Sequence, residues 1–302
     1  MSPVPSPRRR FDLPLADGRV LALGERTLVM GILNVTPDSF SDGGATLDPD
    51  AAVAHALAMA EAGADLIDVG GESTRPGAAP LPADEEWRRV GPVLEALRGR
   101  VEVPLSIDTY KAEIAERALA RGAAIVNDVS ALAYDPGLAG VVARAGAPVI
   151  LMHTRGRSAD MYAAARYGDV AAEVAAELRV RADAARAAGI RADRIVLDPG
   201  LGFAKRAEHS LAALAGLPVL AALGYPMLSG PSRKSFLVAG LGDVPPPYRL
   251  WGTAAAVTAS VLLGAHIVRV HDVAPMVQVV RVADGLLRQG PAARDAGGGP
   301  PA

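Results

Sequence analysis

The sequence predicts an α/β protein with a (β/α)8 TIM-barrel fold. Short runs rich in Val, Ile and Leu recur along the chain, and each is followed by a longer Ala-, Leu-, Glu- and Arg-rich segment of helical periodicity. Eight such units occupy residues 28 to 288, which is close to the roughly 250 residues typical of this barrel. Open, doubly wound sheets show the same alternation and are the alternative fold.

The strands and helices follow one another in regular order. The predicted strands are Leu28–Asn34, Asp65–Gly70, Val103–Asp108, Ala124–Asp128, Pro148–His153, Arg194–Asp198, Pro226–Gly230 and Ile267–His271. The predicted helices are Asp50–Ala62, Asp84–Arg98, Lys111–Arg121, Pro136–Ala145, Asp169–Ala188, Glu208–Leu223, Trp251–Leu263 and Val273–Arg288. Several helices end at a Gly just before the next strand, as in AEAGADLIDVG and LLGAHIVRVH, because Gly readily adopts the left-handed conformation that ends a helix.

The segments outside the eight units predict a hairpin and two disordered ends. Residues 11 to 24, FDLPLADGRVLALG, contain two short apolar runs around Asp17–Gly18, a hairpin turn signal, and we expect this hairpin to cap the barrel floor. We therefore predict a disordered head at residues 1–10, a single domain at residues 11–288 and a disordered, Gly- and Pro-rich tail at residues 289–302.

The composition limits the functional classes. The chain has 302 residues, a net charge of -2 and no cysteine. A balanced charge gives no bulk attraction to nucleic acid or anionic membranes, and the lack of cysteine excludes disulfides, thiolate metal sites and cysteine nucleophiles. The most apolar stretch, GTAAAVTASVLLGAHIV, is too short and too interrupted for a membrane helix. We expect a cytoplasmic protein with neither nucleic-acid nor membrane partners.

Every predicted strand carries a polar residue at or near its carboxyl end. These strand ends carry Asn34, Asp68, Asp108, Asn127 with Asp128, His153, Asp198, Ser229, and Arg269 with His271. In this fold the catalytic groups lie at the carboxyl ends of the strands and in the loops that follow. One such side chain alone is as well explained by helix capping or loop anchoring, but eight of them together favour a shared site.

The acidic strand ends point to a nitrogen-rich ligand. Asp68, Asp108 and Asp198 would line an apolar mouth, where ionised carboxylates are costly unless they meet hydrogen-bond donors. A planar heterocycle with a guanidine-like edge donates two parallel hydrogen bonds to a carboxylate, and Asn127 and Asn34 add further donors and acceptors.

The basic residues predict an anion site at the same mouth. They are Arg75 in GGESTRPGA, Lys234 in SGPSRKSF, and Arg269 and His271 in RVHD, with Ser73, Thr74 and Ser232 as hydroxyl donors. Barrel enzymes often bind phosphate at their last loops. We expect Arg233 to point outward as a surface residue, His55, His209 and His266 to be packed or solvated, and His153 either to orient a ligand or to anchor a loop.

Seven motifs in this order resemble the dihydropteroate synthase family over residues 28 to 288. They are MGILNVTPDSFSDGG, IDVGGESTRPGA, SIDTYKAEIAERAL, GAAIVNDVSA, LDPGLGFAK, SGPSRKSF and IVRVHDV. The resemblance implies a TIM barrel and a transferase that joins 6-hydroxymethyl-7,8-dihydropterin diphosphate to 4-aminobenzoate, giving 7,8-dihydropteroate and diphosphate in folate biosynthesis. It also implies Mg2+ and a homodimer formed through the late helices.

The resemblance implies a role for each matching residue. The pterin ring would be bound by Asp108, Asn127, Asp198 and Lys234. The diphosphate would be bound by Asn34, Thr74, Arg75, Arg269 and His271, with Asn34 also at the metal. The 4-aminobenzoate would be bound by Thr74, Pro76, Phe203 and Ser232. The catalytic set would be Asp108, Asp198, Lys234, Arg269 and His271.

The implied chemistry needs no protein nucleophile. Neutralising the diphosphate makes it a good leaving group, and the buried acids favour a cationic, delocalised pterin that a weakly basic arylamine can attack. In the family, the segment corresponding to Thr36–Gly44 acts as a lid, for which Gly43 and Gly44 would be the hinge. Ala204 departs from the Gly that the family often has at this position.

Two other functions remain as alternatives. A pterin-dependent methyltransferase barrel would share the Asp and Asn contacts to the ring, but it has no need for the four basic residues Arg75, Lys234, Arg269 and His271. A catalytically silent paralogue that only binds pterins is the other, and the intact motifs of the first two loops argue against it.

Overall fold

The computed structural model describes residues 8–36, 48–74, 77–157 and 161–289. The strands are β1 (Phe11–Pro14), β2 (Val20–Leu23), β3 (Leu28–Asn34), β4 (Leu66–Gly70), β5 (Leu105–Asp108), β6 (Ala123–Asp128), β7 (Val149–Met152), β8 (Ile195–Asp198), β9 (Leu228–Ser229) and β10 (Ile267–Val270). The α-helices are α1 (Pro49–Glu61), α2 (Ala83–Leu97), α3 (Ala112–Leu119), α4 (Leu138–Ala145), α5 (Val170–Ala187), α6 (Ala207–Ala215), α7 (Leu217–Ala221), α8 (Val238–Leu241), α9 (Leu250–Leu262) and α10 (Val273–Arg288).

Strands β3 to β10 form one parallel sheet that closes on itself. Neighbouring strands are hydrogen-bonded in the order β8-β7-β6-β5-β4-β3-β10-β9. A parallel bridge between Leu197 and Met227 joins the two edges, since Met227 directly precedes β9. The closure confirms the predicted TIM barrel and excludes the open, doubly wound sheet. All eight predicted barrel strands are present.

Two apolar layers hold the barrel together. Inside it, alternate strand residues such as Met30, Leu66 and Val196 fill the lower half. The intervening residues face outward and pack against the helices in a much larger cluster. Because side chains alternate across a strand, both faces of each strand are buried, and the strand sequences are therefore apolar almost throughout.

The N-terminal hairpin caps the floor of the barrel, as predicted. Strands β1 and β2 pair in antiparallel register, and Leu13, Leu15 and Leu23 are buried against the lower interior residues. The backbone N–H of Ala16 donates to the carbonyl of Ala124 on β6 at 3.2 Å. The hairpin therefore covers the apolar interior at the end of the barrel opposite the carboxyl ends of the strands.

The ends of the predicted domain need one correction. The sequence predicted disorder through Arg10, whereas Arg8 is ion-paired with Asp284 of α10 at 2.5 Å and donates to the carbonyl of Ala265 at 2.7 Å. The buried ion pair between Arg8 and Asp284 holds this segment against α10, so the domain includes residues 8–10. Residues 1–7 of the predicted head and residues 290–302 of the predicted tail lie outside the described residues.

The helix boundaries follow local chemistry. The predicted helix Glu208–Leu223 is divided into α6 and α7, because Pro218 stands in the first turn of α7 and cannot continue a preceding helix. The glycines at helix ends, Gly63, Gly122, Gly146 and Gly264, have φ values of +95°, +101°, +59° and +104°. These left-handed conformations confirm the predicted helix–turn–strand unit. Within the described residues, no helix has the length and apolarity needed to span a membrane.

Candidate active site

The polar strand ends converge at one rim of the barrel. The pairing register aligns Asn34 of β3 with Gly70 of β4, Gly70 with Asp108 of β5, and Asp108 with Asn127 of β6. Asp198 ends β8, on the other side of β7. These residues follow the apolar lower half of each strand, so they form the upper layers of the barrel interior.

Arg269 joins three strands of this rim. Its Nε donates to Asp68 Oδ2 at 2.6 Å and its Nη2 donates to Asp108 Oδ2 at 2.8 Å. Asn127 Nδ2 donates to the same Asp68 oxygen at 2.8 Å. The guanidinium of β10 therefore reaches past β3 to β4 and β5, and this contact defines the rim cluster formed by Asp68, Asp108, Asn127 and Arg269.

The two acids of this cluster are poorly solvated. Asp68 is fully buried, and its Oδ1 has no hydrogen-bond partner among the described residues. Burial raises the pKa of Asp108 to about 7, against the lowering effect of Arg269. The ionised form of Asp108 and the unpaired oxygen of Asp68 would both gain from a ligand that brings N–H donors.

Asp198 and Lys234 form a second group of charged residues at the rim. Asp198 Oδ1 accepts from the backbone N–H of Gly200 at 2.7 Å, and burial raises its pKa, with Lys234 opposing this shift. Burial lowers the pKa of Lys234 to about 8. The Lys234 ammonium donates to the carbonyl of Leu201 at 2.5 Å and lies 4.7 Å from the centre of the Phe203 ring. A cation, an aromatic face and an acid thus lie together.

His271 is held by Ser232. The Ser232 hydroxyl lies 3.0 Å from His271 Nδ1 and accepts from the backbone N–H of His271 at 3.1 Å. This geometry makes the hydroxyl the donor to an unprotonated Nδ1. Burial, followed by the charge of Arg269, lowers the pKa of His271 to about 3, so the imidazole is neutral at physiological pH. A neutral imidazole still carries one N–H donor for an anion.

Arg233 differs from its predicted surface role. Its guanidinium makes a bidentate ion pair with Asp272, with Nε at 2.9 Å and Nη2 at 2.5 Å from the two carboxylate oxygens. Its backbone N–H donates to Thr253 Oγ1 at 3.1 Å. The left-handed φ of +58° turns the side chain back toward the loop after β10. Arg233 therefore fastens the two loops that carry Ser232 and His271.

The loop after β4 is described in part. Thr74 is half-buried on this loop, whereas Arg75 and Pro76 lie outside the described residues, as does the predicted lid from residue 37 onward. The sequence did not reveal how this loop is anchored. The Lys111 ammonium donates to Glu72 and to Glu86, and Glu86 is fully buried.

His153 does not join the rim cluster. Its Nε2 lies 3.0 Å from Glu177 of α5 and its Nδ1 lies 2.8 Å from the Lys205 ammonium. Of the two roles predicted from the sequence, the loop anchor is the one that the geometry supports. The other predicted histidines, His55, His209 and His266, also stay outside the cluster, and His266 is buried between the hairpin and the barrel floor.

The described residues offer few ligands for a metal at this rim. The described residues contain no group of three or more His, Asp or Glu side chains arranged around one point. Asn34 offers an amide oxygen at the end of β3. Mg2+ is commonly bound by one or two protein oxygens together with substrate phosphates and water. The donor set therefore suits Mg2+ carried by a phosphorylated substrate rather than a metal cage.

Comparison with known proteins agrees with this arrangement. Residues 30–271 match the family model described as pterin binding enzyme. A dihydropteroate synthase of Synechocystis sp. is 47% identical over 279 residues, which cover 92% of this chain and 96% of that protein. A dihydropteroate synthase of Bacillus subtilis is 44% identical over 270 residues, covering 89% and 92%.

Solved structures give the same result. A Xanthomonas albilineans dihydropteroate synthase with 4-aminobenzoic acid has a TM-score of 0.86 and 47% identity, covering 92% of this chain and 98% of that one. The same organism's enzyme in complex with 7,8-dihydropteroate has a TM-score of 0.82 and 44% identity, covering 91% and 98%.

Proposed function

This chain belongs to the dihydropteroate synthase family of pterin-binding enzymes, and we propose that its rim residues carry out the reaction of that family. The enzyme is a transferase that condenses 6-hydroxymethyl-7,8-dihydropterin diphosphate with 4-aminobenzoate to give 7,8-dihydropteroate and diphosphate. The contact of Arg269 with two buried carboxylates, beside Lys234 and His271, supports this assignment best, because it joins acids and cations at one rim.

The acidic half of the rim binds the pterin ring. Asp108, Asn127 and Asp198 provide acceptors, and Lys234 provides a cation against the same ligand. Two parallel N–H groups of a guanidine-like edge satisfy a buried carboxylate better than water does. Burial raises the pKa of Asp108, so its ionised form is costly in the free protein, and N–H donors from the ring would relieve that cost.

The basic half binds the diphosphate. Its residues are Arg269 on the last strand, His271 just after that strand, Asn34 at the end of β3, and Thr74 and Arg75 on the loop after β4. Mg2+ bound through Asn34 and the phosphate oxygens would supply further neutralisation of the leaving group. We assign 4-aminobenzoate binding to Thr74, Pro76, Phe203 and Ser232, and the Ser232 hydroxyl also orients His271.

Catalysis in this site is electrostatic and positional. The C–O bond to diphosphate breaks, the C–N bond to the arylamine forms, and the amine loses one proton to solvent. Arg269 and His271 stabilise the charge on the departing diphosphate, while Asp108 and Asp198 favour positive charge on the pterin. No side chain acts as a nucleophile, because the amine attacks the pterin carbon directly.

An assay of diphosphate release tests the function. The purified protein with the pterin diphosphate and Mg2+ should release diphosphate only when 4-aminobenzoate is present. Arg269→Ala should abolish this release, whereas Arg191→Ala, which removes an exposed arginine far from the rim, should leave it unchanged. Release without the amine would contradict a synthase. Binding of the pterin without any release would indicate the silent paralogue, and methyl transfer would indicate the methyltransferase barrel.

The predicted homodimer is assigned to the late helices. Trp251 of α9 is 77% exposed, and Val282 and Leu286 of α10 are 68% and 58% exposed. A shallow cleft between the two helices is lined by Thr258, Val279, Val282 and Leu286. Exposed apolar side chains on packed neighbouring helices suit a self-complementary contact. Sedimentation should give a dimer for the natural chain and a monomer for Leu286→Glu, whereas Leu211→Glu, on a different helix, should remain dimeric.

A further inference from the structure

Lys205 is a buried lysine that the reaction itself does not use. Its side chain is among the largest that are fully buried, and the residue is 1% exposed. Its Nζ lies within hydrogen-bond distance of four neutral acceptors, which share its three N–H groups. These acceptors are the ring nitrogen Nδ1 of His153 at 2.8 Å and the backbone carbonyls of Phe203, Gly200 and His153 at 3.1, 3.2 and 3.4 Å. Such a group is costly to bury, so its position calls for a reason.

The ammonium fastens the loop after β8 to the end of β7. Gly200 passes so close to His153 that a Cβ atom at Gly200 would lie 1.9 Å from the carbonyl oxygen of His153. Lys205 bridges the carbonyls of these two residues and also binds the carbonyl of Phe203. Without the N–H donors of Lys205 between them, these carbonyl dipoles would face one another unsatisfied in a buried position.

The same loop carries groups of the rim on its other side. The carbonyl of Leu201 accepts from the Lys234 ammonium at 2.5 Å, and the Phe203 ring lies beneath that ammonium at 4.7 Å. Gly202 fits this arrangement closely, because a Cβ atom there would lie 3.2 Å from Cδ of Lys234. The position of Lys234 therefore depends on the loop that Lys205 fastens.

Helix α5 holds the far end of this arrangement. His153 Nε2 lies 3.0 Å from a carboxylate oxygen of Glu177, and Glu177 is paired with Arg155. The Glu177 carboxylate can only accept, so the imidazole proton is on Nε2 and is donated to Glu177, and Nδ1 accepts from the Lys205 side chain. The imidazole is thereby fixed in one orientation and acts as a rigid acceptor for the ammonium.

We propose that Lys205 is a positioning residue for the pterin and 4-aminobenzoate pockets, acting through the loop Pro199–Phe203 and its contact with Lys234. The inference rests on the proposed function for the identity of the two ligands. It does not extend to the diphosphate site, because Arg269 and His271 are fixed by Asp68, Asp108 and Ser232 instead. Lys205 touches none of the reacting groups and is not a catalytic residue.

Hydrogen exchange of the ligand-free protein tests the structural step. The amides of Gly200, Gly202 and Phe203 donate to Asp198 Oδ1, Ser210 Oγ and the Gly200 carbonyl. In Lys205→Met, which keeps the chain length but removes the ammonium, these amides should exchange at least about tenfold faster. Arg206→Met, an exposed neighbour, is the control and should leave the rates unchanged. Unchanged exchange in Lys205→Met would overturn the proposal.

Ligand selectivity tests the functional step. Calorimetry with 6-hydroxymethylpterin should show weaker binding by about tenfold in Lys205→Met, and the KM for 4-aminobenzoate should rise by a similar factor. Binding of inorganic diphosphate with Mg2+ should change by less than about twofold. A purely structural lysine would weaken all three ligands alike when it is removed, and that result would also overturn the proposal.

Two features keep the test decisive. If Lys205→Met does not fold, Glu177→Gln replaces it as the test, because Glu177 is the half-exposed partner of His153. This variant should accelerate exchange of the same three amides to a smaller extent. No acceleration in Glu177→Gln would refute the inference. If the natural chain shows no amine-dependent release of diphosphate, the proposed function fails, whereas the exchange result stands on its own.

Discussion

Replacing Asp108 by Asn should remove most of the pH dependence of pterin binding below neutrality. The carboxylate form of Asp108 accepts the N–H groups of the ring, and burial raises the pKa of this group to about 7. The fraction of ionised Asp108 then falls from about one half at pH 7 to about one eleventh at pH 6. Pterin affinity should fall about fivefold over this interval, which equals about 1 kcal/mol.

The same substitution should stabilise the fold. The pKa of Asp108 is about 7 in the folded protein and 3.8 in the unfolded chain, so the folded state binds the proton more tightly. Stability from this group therefore decreases as the pH rises from about 4 to about 7, by up to about 4 kcal/mol. Asn resembles the protonated carboxyl, so Asp108→Asn should be more stable than the natural chain at pH 8, and this gain should vanish near pH 4.

Two measurements check this reasoning. Calorimetry with 6-hydroxymethylpterin at pH 6 and pH 7 should give a fivefold difference for the natural chain and for Asp193→Asn, a surface control, but a much smaller difference for Asp108→Asn. Urea denaturation at pH 4 and pH 8 gives the stability difference. If Asp108→Asn kept the fivefold difference, the proton would be taken up elsewhere, and the assignment of Asp108 as the titrating acceptor would be wrong. Lys234 stays mostly charged over this interval, since its pKa is about 8, whereas burial lowers the pKa of Lys205 to about 7, so Lys205 contributes to the pH dependence that remains in Asp108→Asn.

Three further substitutions test the packing of the loops. Gly200→Ala should lower the free energy of unfolding by about 3 kcal/mol in urea denaturation, because its Cβ would meet a carbonyl oxygen at 1.9 Å. Gly18→Ala, which has open space around it, should lower the free energy of unfolding by only about 1 kcal/mol. Equal losses would contradict the close approach at Gly200. Ala204→Gly should raise stability by up to about 1 kcal/mol, since Ala204 has a φ of +48°, and a loss would argue against strain there. Lys111→Met should lower the free energy of unfolding by about 3–5 kcal/mol, because it leaves the buried Glu86 without its cation. Adding Glu86→Gln to this variant should recover part of the lost stability. No recovery would refute the pairing.

Most of the fold could be predicted from the sequence because its signals are local. A strand buried on both faces is apolar throughout, and this pattern predicted both ends of β3, Leu28–Asn34, correctly. The helical periodicity of the last segment likewise predicted both ends of α10, Val273–Arg288. The failures occurred where a distant contact decides. The order at Arg8 depends on Asp284 of the last helix, which no local pattern shows.

The rim could be predicted because the fold brings strand ends together whatever the sequence between them. Asp108, Asn127, Asp198 and Arg269 were identified from position alone, and the structure brings them to one rim. The supporting residues could not be predicted in this way. Lys205 and Glu86 lie beyond strand ends in the chain, and their burial and partners depend on how the loops fold over the barrel.

The buried charges of the rim have a common physical origin. Asp108 and Asp198 have raised pKa values and Lys234 a lowered one, because each is desolvated before any ligand arrives. Water would relieve this cost but would have to reorganise as charge develops during the reaction, whereas fixed partners do not. A site of this kind keeps its shape only if the backbone beneath it is rigid. Lys205, caged by carbonyls under the loop that holds Lys234, provides that rigidity where the barrel strands themselves have ended.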